Sequence, residues 1–183
     1  MVVKALVTVA LASLAVGGCV PHAAGRVDGP SSPRVEALTH GAELTVVEFF
    51  SARCPCQRAH DARLRALAEA FAPSSVRFVA VDAEADATPA RDDDEARARG
   101  YPFPLISDPG GGVADQLGAQ YATFVVILDQ HGRVRYRGGI DSARVHLTDD
   151  ARPYLRDALE RLLAGGAPDL IETKTLGCAL RRK

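Results

Sequence analysis

Polar and apolar residues change rhythm several times along this chain. "LTVVEFF" (Leu44–Phe50) is a short apolar run of β-branched and aromatic residues, as expected of a buried parallel strand. From Cys56 to Phe71 the apolar positions Ala59, Leu64, Leu67, Ala68 and Phe71 fall mostly on one helical face, and Pro73 closes the segment. "VRFVAVD" (Val76–Asp82) predicts a second strand. Ala87–Pro102 is polar with a weak helical pattern, and its acidic run Asp92–Glu95 suits the start of a solvated helix. "PLISDPGGG" reads as a short extended piece and a turn, and Val113–Ala119 as a short helix. Thr123–Asp129 and Arg133–Gly138 flank "QHG" and predict a hairpin. Asp150–Gly166 carries Tyr154, Leu155, Ala158, Leu159 and Leu162 on one face and ends in glycines, an amphipathic helix. The order β-α-β-α-(β)-α-β-β-α predicts an α/β domain with a mixed central sheet and helices on both faces.

The two ends break this alternation. Residues 1–18 have one charge, Lys4, then an apolar stretch from Ala5 to Val16 and two glycines before Cys19. A basic start, an apolar core too short to span a bilayer and small residues before a break describe a secretory signal. "LAVGGC" resembles a bacterial lipobox, which implies lipidation of Cys19 and a place in the bacterial cell envelope, facing the periplasm or exterior. Residues 19–35 are rich in Pro, Gly, Ser and Ala and predict a flexible tether. The domain is then expected over 36–166, with a C-terminal tail over 167–183.

The 183 residues allow one domain with a sizeable core, and a net charge of −1 gives no reason to expect nucleic acid as a partner. The chemistry is concentrated in "FFSARCPCQRAH", where two cysteines meet at a strand-to-helix junction. Cys54 falls at a helix N-terminus, where the helix dipole and free N–H groups favour a thiolate, and Pro55 suits a first helical turn. Cys54 is therefore the expected nucleophile. The plainer alternative is a pair of inert buried cysteines. A soft-metal site on Cys54, Cys56 and His60 is a third reading, for which no fourth ligand is evident. Glu48 stands six residues before Cys54 inside the apolar strand, where burial raises a carboxyl pKa toward that of a general base.

The element order, with "VVEFFSARCPC", "LISDPGGGVADQLGAQY" and "VVILDQHGRVRYRGGID", resembles the thioredoxin-like superfamily over about residues 36–165. The nearer likeness is to its periplasmic redoxin branch, of the TlpA/ResA and alkyl hydroperoxide reductase/thiol-specific antioxidant types. The resemblance implies a thioredoxin-like fold and thiol–disulfide exchange with protein or small-molecule thiols, with no cofactor or bound metal. It implies that Cys54 attacks, that Cys56 resolves, and that Glu48, in place of the family's acidic residue, moves a proton. Cys178 in the tail resembles the resolving cysteine of some peroxiredoxins. Thr123 stands where the family has a substrate-contacting cis-proline, so a trans bond is expected there. The family spaces its two cysteines by two residues, and this chain by one. Two other functions share the motif: peroxide reduction through a Cys54 sulfenic acid, and a copper-binding chaperone using Cys54, Cys56 and a distant histidine.

Overall fold

The structure, a computed structural model, describes residues 33–182. The signal segment, Cys19 and most of the tether expected from the sequence lie outside those residues. Ten elements follow in chain order: α1 (Pro33–Thr39), β1 (Leu44–Phe50), α2 (Pro55–Phe71), β2 (Val76–Asp82), α3 (Pro89–Arg99), β3 (Leu105–Ser107), α4 (Gly112–Leu117), β4 (Val125–Asp129), β5 (Val134–Gly138) and α5 (Tyr154–Leu163). The sheet order is β3-β2-β1-β4-β5. β1, β2 and β3 run parallel, while β4 is antiparallel to β1 and β5 to β4. The mixed α/β sheet covered on both faces is thus as the alternation predicts.

β1 is central because every one of its seven residues is buried. Its side chains alternate between two cores. Val46 and Phe50 join Leu64, Leu67 and Phe71 of α2 and Leu155 and Leu159 of α5. Val47 and Phe49 join Val35 of α1 and Val113 and Leu117 of α4 on the opposite face. Each fully buried Leu or Phe contributes about 1.5–3 kcal/mol, so the strand that leads into the cysteines is fixed from both sides.

Three departures from the sequence pattern have local causes. α1 begins at Pro33, inside the span expected to be tether; its short apolar contribution, Val35 at 3% exposure, is too sparse to show as periodicity. β4 begins at Val125 instead of Thr123, because Thr123 adopts φ 63, a left-handed conformation that breaks a strand. α5 begins at Tyr154, since Pro153 stands at its N-cap and the residue before a proline is steered away from helix.

Candidate active site

β1 ends at Phe50 and the chain turns directly into α2. Cys54 is the N-cap of that helix and Pro55 its first residue, so Cys56 lies in the first turn. Both cysteines are buried, at 2% and 1% exposure. The turn is held by Ser51, whose hydroxyl donates to Glu84 at 3.0 Å, and by Arg53, which reaches Glu84 at 3.2 Å and Asp86 at 2.9 Å. His60 is committed elsewhere: its Nδ1 faces the Cys56 carbonyl at 2.8 Å and its Nε2 faces Asp141 at 3.2 Å. That histidine therefore braces the first turn of α2 and does not join the sulfurs.

The C-terminal tail completes the site, and it is ordered. It first runs beside β5, where Arg137 N–H donates to the Ile171 carbonyl at 3.0 Å and Thr173 N–H donates to that of Arg137 at 3.1 Å. This close approach accounts for Gly138 and Gly139, since a Cβ on Gly138 would lie 2.2 Å from the Thr173 hydroxyl. The tail then crosses to the segment before β4. Ala122 N–H donates to the Cys178 carbonyl at 2.8 Å and Leu180 N–H to that of Gln120 at 2.9 Å, enclosing the antiparallel bridge Tyr121–Ala179. Gly177 is pressed against Ala122, where a Cβ would fall 1.7 Å from the carbonyl oxygen. Leu180 is buried, and Ala85 N–H donates to the Arg181 carbonyl at 2.9 Å.

This path brings the Cys178 sulfur to 2.6 Å from that of Cys54. The sulfurs of Cys54, Cys56 and Cys178 all lie within 4.8 Å of one another. Burial opposes ionisation of Cys54, but the Cys178 thiol and the backbone N–H groups of Gln57, Cys178 and Cys56 outweigh it and hold its pKa below the ordinary thiol value. Burial raises Cys56, and the charge of Cys54 adds to this while Arg144 partly offsets it. Burial, then the hydrogen bond to Cys54, pushes Cys178 up to about 12. The three thiols are therefore unequal: ionisation is favoured at Cys54 and opposed at Cys56 and Cys178.

Glu48 lies on the α2 and α5 side of β1, at 1% exposure, and neither carboxylate oxygen has a hydrogen-bond partner among the described residues. Desolvation pushes its pKa up to about 8, with the nearby Gln57 side chain pulling it partly back. Its neighbour Tyr101 accepts a hydrogen bond from Gln57 at 3.1 Å. Thr123 is buried, its N–H donates to the Phe49 carbonyl at 2.8 Å, and no peptide bond among the described residues is cis. Its hydroxyl would be 2.8 Å from a Cβ on Gly177, so Thr123 borders the docked tail.

The local pattern around the cysteines does not reveal Arg144 and His146. Together with Pro55, Cys56, Val145 and Cys178 they line a cavity of about 530 Å³ beside the sulfurs. They come from the irregular segment between β5 and α5, which has no periodicity to mark it.

A family model described as Redoxin matches residues 16–149. Two solved structures each share 27% identity and a TM-score of 0.72: a hypothetical protein of Sinorhizobium meliloti 1021, over 80% of this chain and 84% of that one, and an uncharacterized conserved protein of Geobacillus kaustophilus, over 81% of each. A protein provisionally named thiol:disulfide interchange protein DsbE, from Chlorobium tepidum, shares the fold at TM-score 0.50 and 19% identity, over 69% of this chain and 81% of that one. Among curated proteins none matches this sequence.

Proposed function

This chain belongs to the redoxin family, and from that premise we propose that it is a thiol–disulfide oxidoreductase in which Cys54 attacks and Cys178 resolves. One observation carries the reading: a cysteine 124 residues away in sequence is delivered to 2.6 Å from the helix-capping Cys54. An S–S bond is about 2.05 Å long, so small side-chain rotations suffice to join them. The Cys54 thiolate attacks a substrate disulfide, forming a mixed disulfide and releasing the first substrate sulfur as thiolate. The Cys178 sulfur, having given up its proton, then attacks Cys54. A Cys54–Cys178 disulfide forms and the second substrate sulfur leaves. The substrate is reduced by two electrons, and an external dithiol returns them to the protein. The family resemblance gives Glu48 the proton-transfer role, which its burial and a pKa pushed up to about 8 support, and Thr123 borders the docked tail that carries Cys178. Cys56 stands as the alternative resolving thiol. The chain works outside the cytoplasm, held to the membrane by lipid on Cys19.

The test is a peptide map of the mildly oxidised protein alongside two single variants. The Cys54–Cys178 bond should dominate. Cys54→Ser should abolish exchange, and Cys178→Ser should accumulate a mixed disulfide on Cys54. A dominant Cys54–Cys56 bond, with Cys178→Ser fully active, would return the resolving role to Cys56. Exchange that survives Cys54→Ser would remove the proposal.

A further inference from the structure

We propose that the reduced site also binds one soft monovalent metal ion, Cu(I), through a trigonal set of three sulfurs from Cys54, Cys56 and Cys178. The three sulfur atoms already lie within 4.8 Å of one another. A metal with bonds of about 2.3 Å to three sulfurs holds them about 4 Å apart. Forming the set therefore needs mainly that the Cys54–Cys178 pair open from 2.6 Å. Cys178 sits half-buried on the docked tail and can make that adjustment by rotating its side chain, while Cys54 and Cys56 stay on the helix.

The donor set selects the ion. Among the described residues no histidine or carboxylate joins these three sulfurs. Zn(II) structural sites take four ligands, and Ca(II) and Mg(II) take oxygen. Three thiolates without a fourth donor suit a soft ion. The third ligand is thus the tail cysteine and not His60, whose ring nitrogens face the Cys56 carbonyl and Asp141. The cavity of about 530 Å³ lined by Cys56 and Cys178 gives an ion its approach.

Binding moves protons and no electrons. Cu(I) and three thiols give a tris-thiolate complex of charge −2 and three protons, fewer to the extent that Cys54 is already ionised. Arg144, beside the Cys56 sulfur, and the N-terminus of the 17-residue α2 offset that charge. A Cys54–Cys178 disulfide removes two of the three ligands, so oxidation and metal binding exclude each other at this site.

The experiment is an anaerobic titration of the reduced full chain with Cu(I) against the chromogenic chelator bicinchoninate, with X-ray absorption to count sulfur ligands. One equivalent should be withheld from the chelator, with three sulfurs bound. Protein oxidised to the Cys54–Cys178 disulfide should withhold none, a control that involves no substitution. Cys178→Ser should weaken binding by at least about tenfold, the size that even outer-shell partners of a metal command, and leave two sulfurs. Unchanged affinity in Cys178→Ser would reduce the site to a two-sulfur chelate and overturn the proposal. So would a tenfold loss in His146→Ala, or Zn(II) held as tightly as Cu(I), since either would mean a fourth ligand. Failure here leaves the exchange reading standing, because that reading is scored separately by the trapped mixed disulfide.

Discussion

Two regions build this site, and they are held in different ways. The junction of β1 and α2 is part of the core. Phe49 exchanges backbone hydrogen bonds with Phe124 and Thr123, at 2.8 Å each, and its two cysteines are buried. The tail from residue 171 onward is attached at the edge: by backbone hydrogen bonds to β5, to the segment before β4 and to Ala85, by one buried apolar side chain, Leu180, and by ion pairs at its end. Moving the junction means unfolding the sheet, whereas moving the tail breaks only local contacts. Two sulfurs are therefore preorganised by the fold and the third is supplied by an arm whose docking can be varied independently.

The sharpest way to break that comparison is Gly177→Val. A Cβ at this position would lie 1.7 Å from the Ala122 carbonyl oxygen, a clash with backbone that no rotamer relieves. Overpacking of this kind costs about 1–3 kcal/mol or more, and each 1.4 kcal/mol lowers the docked population about tenfold. The ratio of Cys54–Cys178 disulfide to dithiol at equilibrium in a glutathione buffer should fall at least about fivefold. The thermal midpoint should scarcely move, because the core does not include Gly177. A large drop in that midpoint would show that tail and core form one cooperative unit.

The buried carboxyl offers a probe of the junction alone. Glu48 has a folded pKa of about 8 against an ordinary 4.5. Between those values the folded protein binds the proton and the unfolded chain does not, so stability falls as pH rises. The contribution is fully present below about 4.5 and lost as pH passes through about 8. Glu48→Gln has no such titration. The stability of wild type relative to Glu48→Gln should decline by up to about 1.4 kcal/mol per pH unit inside this window and be flat above it, measured by urea unfolding. The same variant should slow exchange near neutral pH with the tail still docked. A stability difference that is flat across the window would mean that Glu48 stays ionised in the fold.

The junction was legible in the sequence because its physics is local. A seven-residue apolar run, a proline between two cysteines and an i+4 apolar pattern are enough to place Cys54 at a helix start and Glu48 in a buried strand. The hairpin and α5 were legible for the same reason, by period. The tail was not, because its docking rests on backbone pairing, which leaves no side-chain rhythm. Its only traces in sequence are Gly138, Gly139 and Gly177, and each reads as a turn until the strand or loop packed against it is known. Cys178 could be named as a candidate, but nothing in the tail fixed which sulfur it would meet. Arg144 and His146 stayed hidden because they sit in an irregular segment brought to the cysteines by the fold alone.

The smallest effect is expected at the tip of the arm. Arg182 pairs with Asp115 at 2.5 Å, and Asp115 is 69% exposed in its side chain. Exposed pairs are worth about 0–1 kcal/mol, so Arg182→Ala should change the Cys54–Cys178 disulfide population by no more than about fivefold. The effect should shrink as salt is raised to 1 M, where the screening length falls to about 3 Å. Gly177→Val, by contrast, acts through a steric contact and should be insensitive to salt. Measuring both variants at low and high salt therefore separates what holds the arm down from what only steadies its end. If Arg182→Ala releases the tail as fully as Gly177→Val, the arm is held electrostatically and the backbone bridge at Tyr121–Ala179 is a consequence of docking rather than its cause.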